Sequence, residues 1–240
     1  MAPVVVPGPS AIIRRVPRRP PPAVPRAVVF DNDGLLLDTE EAWTRAEEIL
    51  WSRRGRTFTL PEKLSMIGSS GEALALNLER LLDAEPGTGH ALIDELHVLV
   101  MEEARKPVSP RPGALALIAL LQERGLPMAV ASNSPRVFLD RVLEGAGLTG
   151  PDSPFLATVA GDEVPQYKPA PDIYLAACAR LGVAPADAIA FEDSPPGVAA
   201  ARAAGIHVVG VPYVTDGELP DADAVAPALD DPSVLALFGA

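Results

Sequence analysis

Two aspartates spaced two residues apart, Asp31 and Asp33, close the short apolar run Val28-Val29-Phe30, and Gly34 follows at once. Alternate residues of a strand share a side, so such a pair addresses one spot where the chain leaves the sheet. Two carboxylates that close repel each other unless a cation lies between them or one holds a proton. The spacing therefore reads as a metal site, or as a nucleophile beside an acid. Asp, Asn and Gly are also ordinary turn residues, and a strand followed by a polar turn looks the same from this stretch alone.

Three later stretches supply partners. Ser132-Asn133-Ser134 precedes Pro135 and a helix, combining a hydroxyl with free backbone N–H groups at a positive helix end, which suits an anion. Lys168, the only lysine after Lys106, sits among turn formers in Gln166-Tyr167-Lys168-Pro169-Ala170-Pro171-Asp172. Glu192-Asp193-Ser194 follows another apolar run. Taken singly, these are also a helix cap, a loop and a solvated turn. Together they make one chemistry. Asp31, Asp193 and Glu192 offer hard oxygen ligands for Mg²⁺, which favours one or two carboxylates plus phosphate. Ser132 and Lys168 can hold phosphoryl oxygens, and a carboxylate can attack phosphorus once charge is neutralised.

The elements that must position these residues alternate. Strands are predicted over 26–30, 127–131, 155–160, 188–191 and 206–211. Between and after them, helices are predicted over 113–124, 135–143, 171–181 and 196–204, with a short one from Asp231 and Pro232. Alternation of this kind predicts a parallel α/β sheet, Rossmann-like, whose ligands sit beyond the carboxyl ends of the strands. A helix over 39–54, capped by Asp38 and Glu41, and helices over 71–82 and 90–105 interrupt the pattern, with no strand between 57 and 106. Residues 43–106 are expected to be a helical insert, with 26–42 and 107–240 as the α/β core. His90 and His97, on an insert helix without ligand-like neighbours, are expected to be surface or core filler. Residues 1–25, with eight prolines, Arg14, Arg15, Arg18 and Arg19 and no acid, are expected to be a disordered, dispensable leader; a basic interaction arm is the alternative.

Composition narrows the partners. The 240 residues are 48% hydrophobic, enough to fill a core, and carry a net charge of −12, which argues against nucleic acid as the main partner. Cys178 is the only cysteine, so no internal disulfide is possible and a reducing, cytoplasmic setting fits. No run is long and apolar enough to span a membrane. A monomer or weak dimer acting on a small phosphorylated metabolite is expected.

As an ordered set, Asp31-Asn32-Asp33-Gly34 with Asp38-Thr39-Glu40, then Ser132, Lys168, and Glu192-Asp193-Ser194 with Gly197, resembles the motifs of the haloacid dehalogenase-like hydrolases. The branch it looks most like holds sugar phosphatases and β-phosphoglucomutases with a helical cap. The resemblance implies a sheet of order 3-2-1-4-5 and Mg²⁺ as cofactor. It makes Asp31 the nucleophile and Asp33 the general acid/base. It assigns the metal to Asp31, the Asp33 carbonyl and Asp193, with Glu192 nearby, and the phosphate to Gly34, Ser132, Asn133 and Lys168. Cap specificity falls to Trp43, Ser69, Ser70 and Gly71. The chain departs from the pattern in four places. Asn32 replaces an apolar residue, Tyr167 a glycine, Trp43 a mutase histidine, and Gly71 stands near a phosphate-binding arginine's place. Lacking that anchor, the chain is expected to hydrolyse a sugar or polyol phosphate; a phosphosugar mutase and a non-catalytic phosphometabolite- or protein-binding member are the alternatives.

Overall fold

The computed structural model describes residues 18–66, 71–106, 108–213 and 218–239. Six parallel strands form one sheet of order β3-β2-β1-β4-β5-β6. They are β1 (Ala27–Phe30), β2 (Met128–Ser132), β3 (Ala157–Ala160), β4 (Ala188–Glu192), β5 (His207–Gly210) and β6 (Ala224–Val225). The first five follow the expected order; the two-residue β6 at the edge carried no readable pattern. β1 is central, with Phe30 in register with Val130 on one side and Phe191 on the other.

The strands are buried on both faces, so they read as continuous apolar runs. The two faces differ in residue size. One presents alanines and valines, among them Ala27, Val29, Ala131 and Ala190, to α7 (Asp172–Leu181) and α8 (Pro195–Ala204). Small side chains there let the two helices sit close to the sheet. The other face presents Val28, Phe30, Met128, Ile189 and Phe191. It packs on α5 (Ala114–Glu123), α6 (Arg136–Gly145) and α9 (Pro232–Ala236), and its core runs on into the helices inserted after β1.

Those inserted helices are α1 (Glu40–Ser52), α2 (Leu60–Met66), α3 (Gly71–Leu82) and α4 (Gly89–Glu103). The short α2 was not expected, although Thr59-Leu60-Pro61-Glu62 carries its signal. The Thr59 N–H and Oγ1 both donate to the Glu62 carboxylate at 2.7 Å, which is the glutamate half of a capping box with the hydroxyl turned to the same carboxylate. The cap assigned to α1 needs correction. Thr39 is its N-cap and makes no side-chain cap bond. Asp38 instead accepts from the Tyr213 hydroxyl at 2.9 Å, and Thr39 donates to Asp33 at 2.8 Å, so both are drawn toward the sheet's end. The chain leaves and re-enters the core side by side, joined by Asp38 N–H to Ser109 carbonyl (2.8 Å) and Arg111 N–H to Leu36 carbonyl (2.9 Å).

Residues 1–17 lie outside the described residues. The remainder of the expected leader is not without contacts. Arg19 donates from its backbone to Asp223 and from its guanidinium to the Ile206 carbonyl, both at 2.6 Å, and its carbonyl lies 2.8 Å from His207 Nδ1. Asp223 is a buried anion that needs donors, and Arg19 supplies one; the expectation of a dispensable leader is corrected to that extent. Among the described residues no helix is long and apolar enough to cross a membrane.

Asn32 is fully buried, and neither end of its side-chain amide has a hydrogen-bond partner. An unsatisfied buried polar group costs about 1–3 kcal/mol, whereas an apolar group of similar shape costs nothing comparable. Asn32→Leu is therefore expected to stabilise the fold by about 1–3 kcal/mol in urea denaturation. A loss of stability would mean that the amide is satisfied in solution.

Candidate active site

The site lies where the carboxyl ends of β1, β2 and β4 meet. β1 holds its last register through the Asp31 N–H, which donates to the Phe191 carbonyl at 3.0 Å. The chain then turns sharply: the Asn32 carbonyl accepts from the N–H groups of Leu35, Leu36 and Leu37. Gly34 sits at φ +83°, and a Cβ there would stand 2.3 Å from the Asp193 carboxylate. That turn brings Asp31 and Asp33 onto one cavity, with Asp193, Lys168, Asn133 and Ser134 beside them.

Lys168 is buried, and its ammonium donates to Asp31 (2.5 Å), Glu192 (2.7 Å) and the Ala131 carbonyl (2.8 Å), which uses all three of its N–H groups. The loop carrying it is clasped by Asn133, whose amide oxygen accepts from the Lys168 N–H at 2.9 Å. Burial alone would lower the lysine's pKa, but the two carboxylates outweigh it and hold the ammonium charged. Glu192 is fully buried beneath the lysine and also accepts from the Tyr174 hydroxyl at 2.6 Å. Gly197, in the first turn of α8, makes room for it: a Cβ there would fall 2.0 Å from the Glu192 carboxylate.

Asp33 is held differently. Its carboxylate accepts from Thr39 Oγ1 (2.8 Å), Ser132 Oγ (2.5 Å) and Ser134 Oγ (2.9 Å). Ser132 is fully buried and does not line the cavity; Ser134 and Asn133 do, at the start of α6. The first N–H groups there are partly engaged already, Ser134 with Ser132 Oγ at 3.0 Å and Arg136 with Asp162 at 2.9 Å, while the positive end of α6 itself still suits an anion.

One carboxylate oxygen from each of Asp31, Glu192 and Asp193 lies within 4.8 Å of the others. Burial and the neighbouring carboxylates push Asp31 and Asp193 well above the usual carboxylate range, with Lys168 opposing them. Three hard oxygen donors converging on so small a volume fit a Mg²⁺ ion.

The whole cavity is about 400 Å³ in volume, sized for a small molecule, and its remaining wall comes from the inserted helices. Trp43 lines it and is half-buried, packed edge-on to His97 at 6.2 Å and tilted against Phe138 at 5.3 Å. His90 and His97 line the cavity too, His90 as an exposed surface residue, one of the two expectations, and His97 half-buried against Trp43. So do Glu40, which closes the first motif, and Glu47 and Lys63, which carried no motif; the Thr59–Glu62 cap signal, by placing α2, could have located Lys63. Gly71 lies at φ +56°, and a Cβ there would stand 3.1 Å from the Tyr167 ring. Tyr167 thus touches the insert where a glycine would leave a gap. Ser69 and Ser70 lie outside the described residues.

Known proteins are similar to this chain in sequence and fold. A family described as haloacid dehalogenase-like hydrolase matches residues 25–205. The chain is 33% identical to Protein CbbY of Rhodobacter capsulatus over 219 residues, 84% of this chain and 95% of that one. It is 32% identical to hexitol phosphatase B of Escherichia coli K12 over 196 residues, 78% of this chain and 83% of that one. CbbY of Rhodobacter sphaeroides, solved with phosphate and with xylulose-1,5-bisphosphate, superposes with a TM-score of 0.77 at 26% identity, over 90% of this chain and 99% of its own.

Proposed function

The chain belongs to the haloacid dehalogenase-like hydrolases, and we propose that it is a Mg²⁺-dependent phosphatase that cleaves a small sugar or polyol phosphate through an aspartyl phosphate. The observation that carries this reading is the convergence of Asp31, Asp33, Lys168 and the start of α6 on one small cavity. Asp31, Asp193 and the Asp33 carbonyl would hold Mg²⁺, with Glu192 behind them. When bound, the ion supplies positive charge against the phosphoryl oxygens and the attacking carboxylate.

The chain's own residues divide the remaining work. Lys168, by exchanging one of its three present acceptors for a phosphoryl oxygen, and Asn133 beside it at the start of α6 hold the phosphoryl group. Asp31 attacks phosphorus and the bond to the leaving oxygen breaks. Asp33 gives that oxygen its proton, then takes one from the water that attacks phosphorus and releases Asp31. Thr39, Ser132 and Ser134 orient the Asp33 carboxylate for both transfers. Hydrolysis is favoured over mutase chemistry because Gly71 stands near the place of a mutase's phosphate-binding arginine and supplies no cation there to anchor a second phosphate. A reducing, cytoplasmic setting fits the single cysteine.

A panel of phosphomonoesters assayed with Mg²⁺ and with a chelator tests the function. Release of phosphate from sugar or polyol phosphates only with the metal is expected. Faster conversion of β-glucose 1-phosphate to glucose 6-phosphate than release of phosphate would overturn it. The acid has its own test. Asp33→Asn is expected to lose about 100-fold or more on a polyol phosphate, whose alkoxide needs a proton, and clearly less on p-nitrophenyl phosphate. Equal losses on both would remove Asp33 from the acid's role.

A further inference from the structure

The cavity has two chemically different ends. The core end carries the phosphate chemistry. The other end is walled by α1, α2 and α4, whose Glu47, Lys63, Asp94, His90 and His97 lie there, and Glu40, which follows Thr39 beside the core end and acts on Asp193, reaches across to the same Lys63 ammonium. Lys63 lies 2.8 Å from the Glu40 carboxylate and 3.1 Å from that of Glu47. These are not surface ion pairs: the side chains of Glu47, Lys63 and Glu40 keep 6%, 15% and 19% of their exposure. Apolar residues would join the three helices as well or better, because removing charges from water is expensive. A partly desolvated charged cluster on the wall of a ligand cavity therefore calls for a binding role. Two of the ammonium's three donors meet the two carboxylates, so one N–H and several carboxylate lone pairs are left for a ligand.

The sign of the charge selects the ligand. Three carboxylates face one ammonium at this end, and burial lowers the pKa of His97, keeping it neutral near pH 7. Residues 67–70, which join α2 to α3, contain no charged side chain. A second phosphate or a carboxylate would meet repulsion there, whereas hydroxyls can donate to the carboxylates and accept from Lys63.

We propose that Glu40, Lys63 and Glu47 hold the hydroxyls of an uncharged polyol chain and exclude substrates that carry a second anionic group. This deepens the phosphatase reading and rests on it. Burial pushes Glu47 up to about 7, so near neutrality it can accept from a hydroxyl or donate to one.

The test is kcat/KM with Mg²⁺ for sorbitol 6-phosphate, fructose 1,6-bisphosphate and 2-phosphoglycolate, with p-nitrophenyl phosphate reporting phosphatase chemistry in the wild type. Sorbitol 6-phosphate is expected to be preferred over the other two by about 100-fold. Lys63→Met is expected to raise KM for sorbitol 6-phosphate by about 10-fold or more. Glu47→Gln, nearly the same shape, is expected to narrow the preference over fructose 1,6-bisphosphate by about 10-fold, in protein whose thermal melt shows it folded. Wild-type enzyme that hydrolyses p-nitrophenyl phosphate but takes the bisphosphate as readily as sorbitol 6-phosphate overturns the inference and leaves the phosphatase standing. An unchanged ratio in folded Glu47→Gln removes the cluster from specificity. Absence of any phosphate release sinks the phosphatase reading itself, and this inference with it.

Discussion

Asp31→Asn is expected to abolish turnover, by at least about 1,000-fold, on every phosphomonoester the wild type accepts. An amide cannot attack phosphorus, and no other described carboxylate on the cavity shares Asp31's contact with Lys168 without lying beneath the floor, as Glu192 does. The fold should not suffer. Asp31 is only 6% exposed, and burial raises its pKa well above the usual carboxylate range, so in metal-free protein its charge is a burden that asparagine removes. The thermal midpoint of the metal-free variant is expected to equal or exceed that of the wild type. Loss of activity with an intact fold separates chemistry from structure. A second readout is direct: fluorine NMR of wild-type protein with Mg²⁺ and beryllium fluoride should show a bound species that Asp31→Asn lacks. Retained turnover in the variant would dismiss the covalent route.

Lys168→Met should instead damage both fold and activity. Its ammonium is the buried cation between Asp31 and Glu192, and removing it leaves two carboxylates facing each other in a dry site. Breaking a buried pair on one side costs about 3–5 kcal/mol, which should appear in urea denaturation at pH 7. The sign of the pH effect follows. Burial already raises the Asp31 pKa above its unfolded value with Lys168 opposing it, so without the lysine it rises further and the penalty is full at high pH. It fades as the pH falls toward the unfolded carboxylate range near 4, and the deficit against wild type should be smaller at pH 5 than at pH 7. Adding Glu192→Gln should recover a substantial part of the stability, because one stranded charge is gone, but none of the activity, because the phosphoryl oxygens still lack their cation. A Lys168→Met protein as stable as wild type at pH 7 would show that water reaches and screens these carboxylates.

The sequence by itself carried the core and its chemistry. Strands buried on both faces are continuous apolar runs, and Asp31, Ser132 and Glu192 each stand at or just after the end of such a run, while Lys168 sits among the turn formers of the loop that follows β3. Chain order and local composition fix those positions, so reading along the chain found them. It also found Gly71–Leu82, whose apolar spacing has the helical period. Pairings between distant residues were not legible in this way. That Ser132 turns its hydroxyl to Asp33 and that Asn133 clasps the lysine loop are set by how strands stack side by side. No pattern within ten residues of any of them encodes it. The same holds for the far end of the cavity. Glu40 and Glu47 on α1 and Lys63 on α2 look like charges on solvated helix faces until the helices pack. Tertiary packing removes water from them and turns them toward one space, and desolvation is a property of the assembled fold that no single helix possesses.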